Sequence, residues 1–147
     1  MRYPLITVAV ILIMCRPLSA QVADSAKFQL TEPYYFHLGY LKTDTAMLID
    51  VREFFEYKRS RIKDAVNIPA SSSLKKATDT IAHNCALFLY CTTDSRSNWV
   101  AKRLYDLGFR KLYSLKGGIV AWKKDGFPME KKRIRRMKKE GLRDHTN

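Results

Sequence analysis

Short apolar runs punctuate the middle of the chain. They are separated by longer segments whose apolar residues recur at helical spacing. Met47-Leu48-Ile49 ends at Asp50, Ala65–Ile68 is stopped by Pro69, Ala86–Tyr90 ends at Cys91, and Leu112-Tyr113-Ser114 precedes Gly117-Gly118. Each reads as a buried strand. Tyr34–Leu41 is predicted as a short helix packing on the edge of the domain. Arg52–Arg59 is predicted helical, with Phe54, Phe55 and Tyr57 available to pack. Ser71-Ser72-Ser73 offers an N-cap to a helix carrying Leu74, Ala77 and Ile81. Ser95 or Ser97 caps the next, with Val100, Leu104 and Leu107 on one face and Gly108 at C′. Ile119–Lys124 is a last short helix, ended by Gly126 and Pro128. Strands alternating with amphipathic helices predict an α/β fold with a parallel sheet. In such sheets ligands bind beyond the carboxyl ends of the strands. Asp50 and Cys91 each follow a strand directly, so they are expected on one edge of the sheet.

The first twenty residues carry a different pattern. Arg2 precedes an unbroken apolar run, Leu5–Met14, and Leu18-Ser19-Ala20 follows. The run is shorter than the roughly 20 apolar residues that a bilayer requires. Residues 1–20 are therefore read as a secretory signal cleaved before Gln21. Export to the bacterial periplasm is expected. The alternative is a lipoprotein anchored through Cys15, although Met14 stands where a small residue is usual. Residues 21–32 are read as a polar, mobile lead-in, 33–128 as the folded domain, and 129–147 as a basic C-terminal tail.

Charge sharpens that last boundary. The 147 residues hold 27 Lys and Arg against 14 Asp and Glu, for a net charge of +13. Residues 130–147 alone hold eight basic and three acidic residues. The tail is read first as a solvated, fraying segment. The alternative is that it attracts an acidic partner or an anionic membrane surface. No nucleic-acid partner is expected of an exported protein. His37, His83 and His145 show no ligand spacing, so no metal site is expected. Trp122 reads as a core anchor, and Trp99 as a packing residue with the pocket rim as its alternative.

Of the three cysteines, Cys15 would leave with the signal. A strand over Ala86–Tyr90 would set Cys85 and Cys91 roughly 20 Å apart at about 3.3 Å per residue. A disulfide needs less than about 7 Å. Cys91 is thus expected as a free thiol, with Cys85 a small residue at the strand edge. After Cys91 come Thr92, Thr93, Asp94, Ser95 and Arg96, then a helix. A loop curling around the sulfur would turn successive amides inward as an anion nest, and the helix would add its positive end. A positive setting favours the thiolate, the reactive form of cysteine. Arg96 is assigned to substrate binding or to bracing the loop through Asp50; a plain surface arginine is the alternative.

Four stretches together resemble the rhodanese family of sulfurtransferases, over about Tyr34 to Pro128. Leu48-Ile49-Asp50-Val51-Arg52-Glu53 with Glu56-Tyr57 is similar to the family's first signature, and Ala65-Val66-Asn67-Ile68-Pro69 to its second. Tyr90-Cys91 through Arg96-Ser97 is similar to the active-site loop. Leu115–Trp122 with Gly126-Phe127-Pro128 is similar to the closing signature. The resemblance implies a small parallel sheet flanked by helices on both faces, a three-layer α/β/α fold. It implies that Cys91 takes the outer sulfur of a donor such as thiosulfate as a persulfide and passes it to a thiophilic acceptor. The implied partners are a small sulfur-containing anion and a thiol acceptor. No cofactor is implied beyond the covalent persulfide. Thr92, Thr93, Asp94, Ser95 and Arg96 would bind substrate, with Asp50 and Ser97 supporting the loop. Asp50 would brace the loop arginine, and Arg52 would be structural. The six residues from Cys91 to Arg96 match the sulfur-transferring members, since the related phosphatases use one residue more. Thr92 and Asp94 depart from the family's usual arginine and glycine. Asp tolerates positive φ, but its carboxylate would repel thiosulfate. Ser60-Arg61 and Lys63-Asp64 also depart from the usual Gly-His and Pro-Gly. The alternative function is a catalytically weak or inactive module of the same fold that recognises a partner protein.

Overall fold

The computed structural model describes residues 23–131. The expected signal peptide, Cys15, His145 and the stretch beyond Lys131 lie outside the described residues.

The elements in chain order are α1 (Asp24–Lys27), β1 (Gln29–Thr31), α2 (Pro33–Lys42), β2 (Ala46–Asp50), α3 (Phe54–Arg59) and β3 (Ser60–Ile62). They continue with β4 (Val66–Asn67), α4 (Leu74–Thr78), β5 (Ala86–Tyr90), α5 (Ser95–Asp106), β6 (Leu112–Leu115), α6 (Gly118–Lys124) and β7 (Met129–Lys131). Five strands form one parallel sheet in the order β1-β6-β5-β2-β4. β3 and β7 form a separate antiparallel pair, so the fold runs past the expected boundary at 128 and takes in Met129–Lys131 of the expected tail. This is the expected α/β architecture.

Every residue of the central strand β5 is buried. The reason is cover on both faces, which makes such a strand read as a continuous apolar run. Its side chains alternate between two cores. Leu87, Leu89 and Cys91 join Val100, Ala101 and Leu104 of α5 and Ile49 of β2. Ala86, Phe88 and Tyr90 join Phe36 of α2, Ile119 and Trp122 of α6, and Leu115. Burying each of these large side chains contributes about 1.5–3 kcal/mol. Trp122 is the core anchor that was expected, with its indole N–H donating to the Pro128 carbonyl at 3.1 Å.

Four expectations are corrected. The lead-in at 21–32 is structured from residue 24 onward, because β1 pairs with β6 from Gln29 to Thr31 and closes that side of the sheet. Its polar sequence suits an edge strand with exposed side chains. Phe54 and Phe55 do not pack; they are 59% and 74% exposed, and only Tyr57 of α3 packs against the core. Trp99 is half exposed, its ring 5.8 Å from the Arg103 guanidinium, and so belongs to no core. α4 is also shorter than expected and stops before Ile81. Among the described residues no helix is long and apolar enough to cross a membrane.

Candidate active site

β2 and β5 lie side by side in parallel, with Asp50 opposite Tyr90, so their carboxyl ends open on the same edge. The Val51 amide donates to the Tyr90 carbonyl at 3.0 Å and carries the pairing one step further. Cys91 is the next residue. It continues the alternation of β5 toward α5 and is 1% exposed. The Ser97 hydroxyl lies 3.8 Å from Cys91 Sγ and 3.0 Å from the Asp94 carbonyl. It accepts a hydrogen bond from the Ser114 hydroxyl at 2.9 Å. Its single proton therefore goes either to the carbonyl or to the sulfur. That hydroxyl is placed to donate to a sulfur carrying negative charge. Cys85 is the other free thiol, also buried. Burial pushes it upward, only partly offset by Lys111, which keeps it protonated at neutral pH.

The main chain of the loop from Thr92 to Arg96 is held from outside. At the start of α6, the Ile119 amide donates to the Cys91 carbonyl at 2.9 Å and the Val120 amide to the Thr92 carbonyl at 3.2 Å. Gly118, at φ 55°, makes this approach possible. A β-carbon there would overlap the Thr93 carbonyl oxygen and stand 2.6 Å from that of Cys91. The amides of Thr92, Thr93, Asp94, Ser95 and Arg96 have no acceptor among the described residues. Unpaired successive amides at a helix start are what an anion site requires.

Asp94 keeps a negative φ of −153° at the N-cap position of α5, so the left-handed backbone anticipated there is not used. Its carbonyl accepts from the Asn98 amide at 2.8 Å. Its carboxylate accepts from the Gly117 amide at 3.2 Å. Ser95 opens α5 and Ser97 lies inside it, and neither caps the helix.

The arginine contacts overturn one expectation. Asp50 does not brace Arg96. It is fully buried and holds Arg52: Arg52 Nη2 lies 2.6 Å from Asp50 Oδ2, and Arg52 Nε and the Arg52 amide each donate to Oδ1 at 2.9 Å. The same Nη2 donates to the Ser60 carbonyl at 2.7 Å, and the guanidinium lies 5.7 Å from the Tyr90 ring centroid. Asn67 donates to the carbonyls of both Asp50 and Arg52. Two residues apart at a strand end, these side chains are closer to each other than either is to the loop.

Arg96 instead meets Glu56 of α3. Nη1 donates to Oε2 at 2.8 Å and Nη2 to Oε1 at 3.1 Å, the two-pronged geometry that carboxylates favour. Thr92 joins them, its hydroxyl donating to Glu56 Oε1 at 3.0 Å and accepting from Arg96 Nη2 at 2.8 Å. The Glu53 amide donates to Glu56 Oε2 at 3.1 Å. The Arg96 hydrogen bond, opposed by burial, leads the causes that lower Glu56 to about 2. The same hydrogen bond raises Arg96, which also senses the charge of Cys91.

Of the sequence-predicted residues, Cys91, Thr92, Thr93, Asp94, Ser95, Arg96 and Ser97 come together at the end of β5, and Asp50 stands apart with Arg52. Glu56 was overlooked as a site residue. Its signal was a carboxylate in the first turn of a helix that follows β2 on the cysteine's edge. Among the described residues no group of three or more His, Cys, Asp or Glu is placed to hold a metal ion. His37 packs edge-on against Trp122 and Phe127, and His83 lies against Phe109.

Comparison with known proteins bears on this arrangement. The uncharacterised protein YqhL of Bacillus subtilis is 40% identical over 87 residues, which is 59% of this chain and 66% of that one. An uncharacterised Synechocystis protein is 34% identical over 88 residues, 60% of this chain and 49% of its own length. The chain thus spans less than two thirds of these relatives. A thiosulfate sulfurtransferase, GlpE of Actinobacillus pleuropneumoniae, is 28% identical over 90 residues, 61% of this chain and 82% of that one. The solution structure of a rhodanese-like domain from Anabaena aligns with a TM-score of 0.61 at 22% identity, covering 80% of this chain and 89% of that one. Residues 37–125 match the family model of the rhodanese-like domain. On that match, which takes in both strand ends and the cysteine loop, the chain belongs to the rhodanese-like domain family.

Proposed function

We propose that the protein is an exported sulfurtransferase that carries a sulfane sulfur on Cys91. In the first half-reaction the Cys91 thiolate attacks the outer sulfur of a donor. The donor's S–S bond breaks and its electron pair leaves with the inner group, as sulfite when the donor is thiosulfate. Cys91 is left as a persulfide. In the second half-reaction a thiolate or another thiophilic acceptor attacks the outer sulfur, and Cys91 leaves as thiolate. Sulfur is handed on with no net oxidation.

One observation carries this reading. The thiol sits at the carboxyl end of the central strand, beside five successive amides without acceptors and a helix N-terminus. A persulfide anion formed there would be held by fixed dipoles. The burial of Cys91 also favours a donor with a slim reacting end, and a single terminal sulfur is one. The relative named as a thiosulfate sulfurtransferase supports the chemistry. Export rests on the N-terminal pattern of residues 1–20. The acceptor is a thiol or another small thiophile, and the basic tail offers an acidic partner or an anionic membrane surface a place to bind. The site needs no cofactor beyond the persulfide itself.

Intact mass after incubation of the reduced protein with thiosulfate and other sulfane donors tests the proposal. The expected result is a gain of one sulfur atom, abolished in Cys91→Ser. A folded, reduced sample that gains no sulfur from any donor would leave the partner-binding module as the better reading.

A further inference from the structure

The cations nearest the Cys91 loop are already matched by carboxylates. Arg96 is clamped by Glu56 through two hydrogen bonds, 2.8 and 3.1 Å long. Arg52 is held by Asp50. Lys116, which senses Asp94, is paired with Glu32 at 2.5 Å. Asp94 then stands in the loop as a further negative charge, its carboxylate turned to the Gly117 amide. The unpaired amides offer dipoles to an anion, but Arg96, Arg52 and Lys116 are each matched by a carboxylate and Asp94 adds one negative charge. The Thr92 hydroxyl, which bonds both Glu56 and Arg96, fixes this arrangement. A dianion such as thiosulfate would have to approach a net negative set of side chains. A donor with at most one negative charge meets less repulsion and still has the amides.

We propose that Glu56 is a specificity-determining residue: by neutralising Arg96 it turns the Cys91 loop away from dianionic donors and toward sulfane donors of low charge, such as the persulfide of a small thiol. This rests on the sulfur-transfer reading and narrows its donor. The step balances with such a donor. The Cys91 thiolate attacks the outer sulfur of R–S–SH, the S–S bond breaks, and the electron pair leaves on the inner sulfur as RS⁻. Glu56 touches neither sulfur and acts through Arg96 and Thr92.

The test uses the full chain with two donors, the dianion thiosulfate and an alkyl persulfide of at most one negative charge released in situ. Sulfur on Cys91 is followed by mass as a function of donor concentration, with folding checked by thermal melting. In Glu56→Gln the half-saturating thiosulfate concentration should fall about tenfold, the effect of one unit charge a few ångströms away in a partly solvated site. For the alkyl persulfide, at most a monoanion, it should move about threefold or less, because the interaction with one unit charge is half that of the dianion. The maximal rate should change far less than half-saturation does for either donor, a split that general loosening of the loop would not produce. Asp94→Asn should move thiosulfate in the same direction, and Glu56→Ala carries the test of Glu56 if Glu56→Gln does not fold. Unchanged or weaker thiosulfate saturation, or equal shifts for both donors, would overturn the role of Glu56. No loading of the wild-type protein by either donor would instead remove the sulfur-transfer reading beneath it.

Discussion

Two arginine–carboxylate pairs stand on the same edge of the sheet and do different work. Arg52 and Asp50 are 5% and 0% exposed at the end of β2, and their spare hydrogen bonds go to main chain. Arg96 and Glu56 are 35% and 23% exposed at the end of β5, and their spare hydrogen bonds go to Thr92 of the loop and to Glu53. The first pair is a clamp: Arg52 fills both oxygens of the buried Asp50 carboxylate and in turn holds β3 through the Ser60 carbonyl. The second is a charge setting, open to solvent and tied to the Cys91 loop through Thr92. Burial therefore distinguishes two ion pairs that look alike on paper.

Removing one partner from each should separate the two roles. Asp50→Ala leaves a buried guanidinium uncompensated and should cost about 3–5 kcal/mol, read from denaturant melts. A loss below about 1 kcal/mol would show that Arg52 finds water or another acceptor. Gly118→Ala strikes the start of α6, where it packs against the carbonyls of Cys91 and Thr93. The new methyl must displace the Thr93 carbonyl and adopt a left-handed backbone, so a loss of about 2–4 kcal/mol is expected. Sulfur loading should fall more than stability does, because the loop itself shifts.

Glu56→Gln should cost only about 1 kcal/mol, since both partners are solvent-accessible. Its pH dependence fixes the sign. Glu56 titrates near 2 in the fold against an ordinary value of 4.5. A depressed carboxyl stabilises fully above its unfolded pKa and stops doing so as pH falls through its folded one. The gap in stability between wild type and Glu56→Gln should therefore be constant from neutral pH down to about 5 and close between 4.5 and 2. A gap that closes only above pH 6 would assign the difference to another group.

The same contrast explains what could be read from the chain. β2, β5 and β6 announce themselves as apolar runs because helices cover both faces of the sheet. β1, β3 and β7 do not: β1 is an edge strand with Gln29 and Leu30 exposed, and in the short β3–β7 pair Ile62 and Met129 reach the core while Glu130 stays outside. Cys91 and its loop were legible from strand–cysteine–loop–helix order alone. The partners of the arginines were not. Sequence placed Asp50 and Arg96 on one edge, but an edge holds several carboxylates. The choice among them depends on how α3 turns Glu56 back toward the loop, which no local pattern encodes. The packing of Phe54 and Phe55 failed for a related reason: the six residues of α3 present their aromatic first turn to solvent, and only Tyr57 reaches the core.

The central claim is that Cys91, and not the second buried thiol six residues earlier in the chain, carries sulfur. Peptide mapping through one cycle of loading and discharge measures it most directly. After exposure to a sulfane donor, the account predicts one added sulfur on the peptide containing Cys91, none on Cys85, and its loss to a thiol acceptor in equal amount. Sulfur found on Cys85, or a loaded Cys91 that no thiophile discharges, would contradict it.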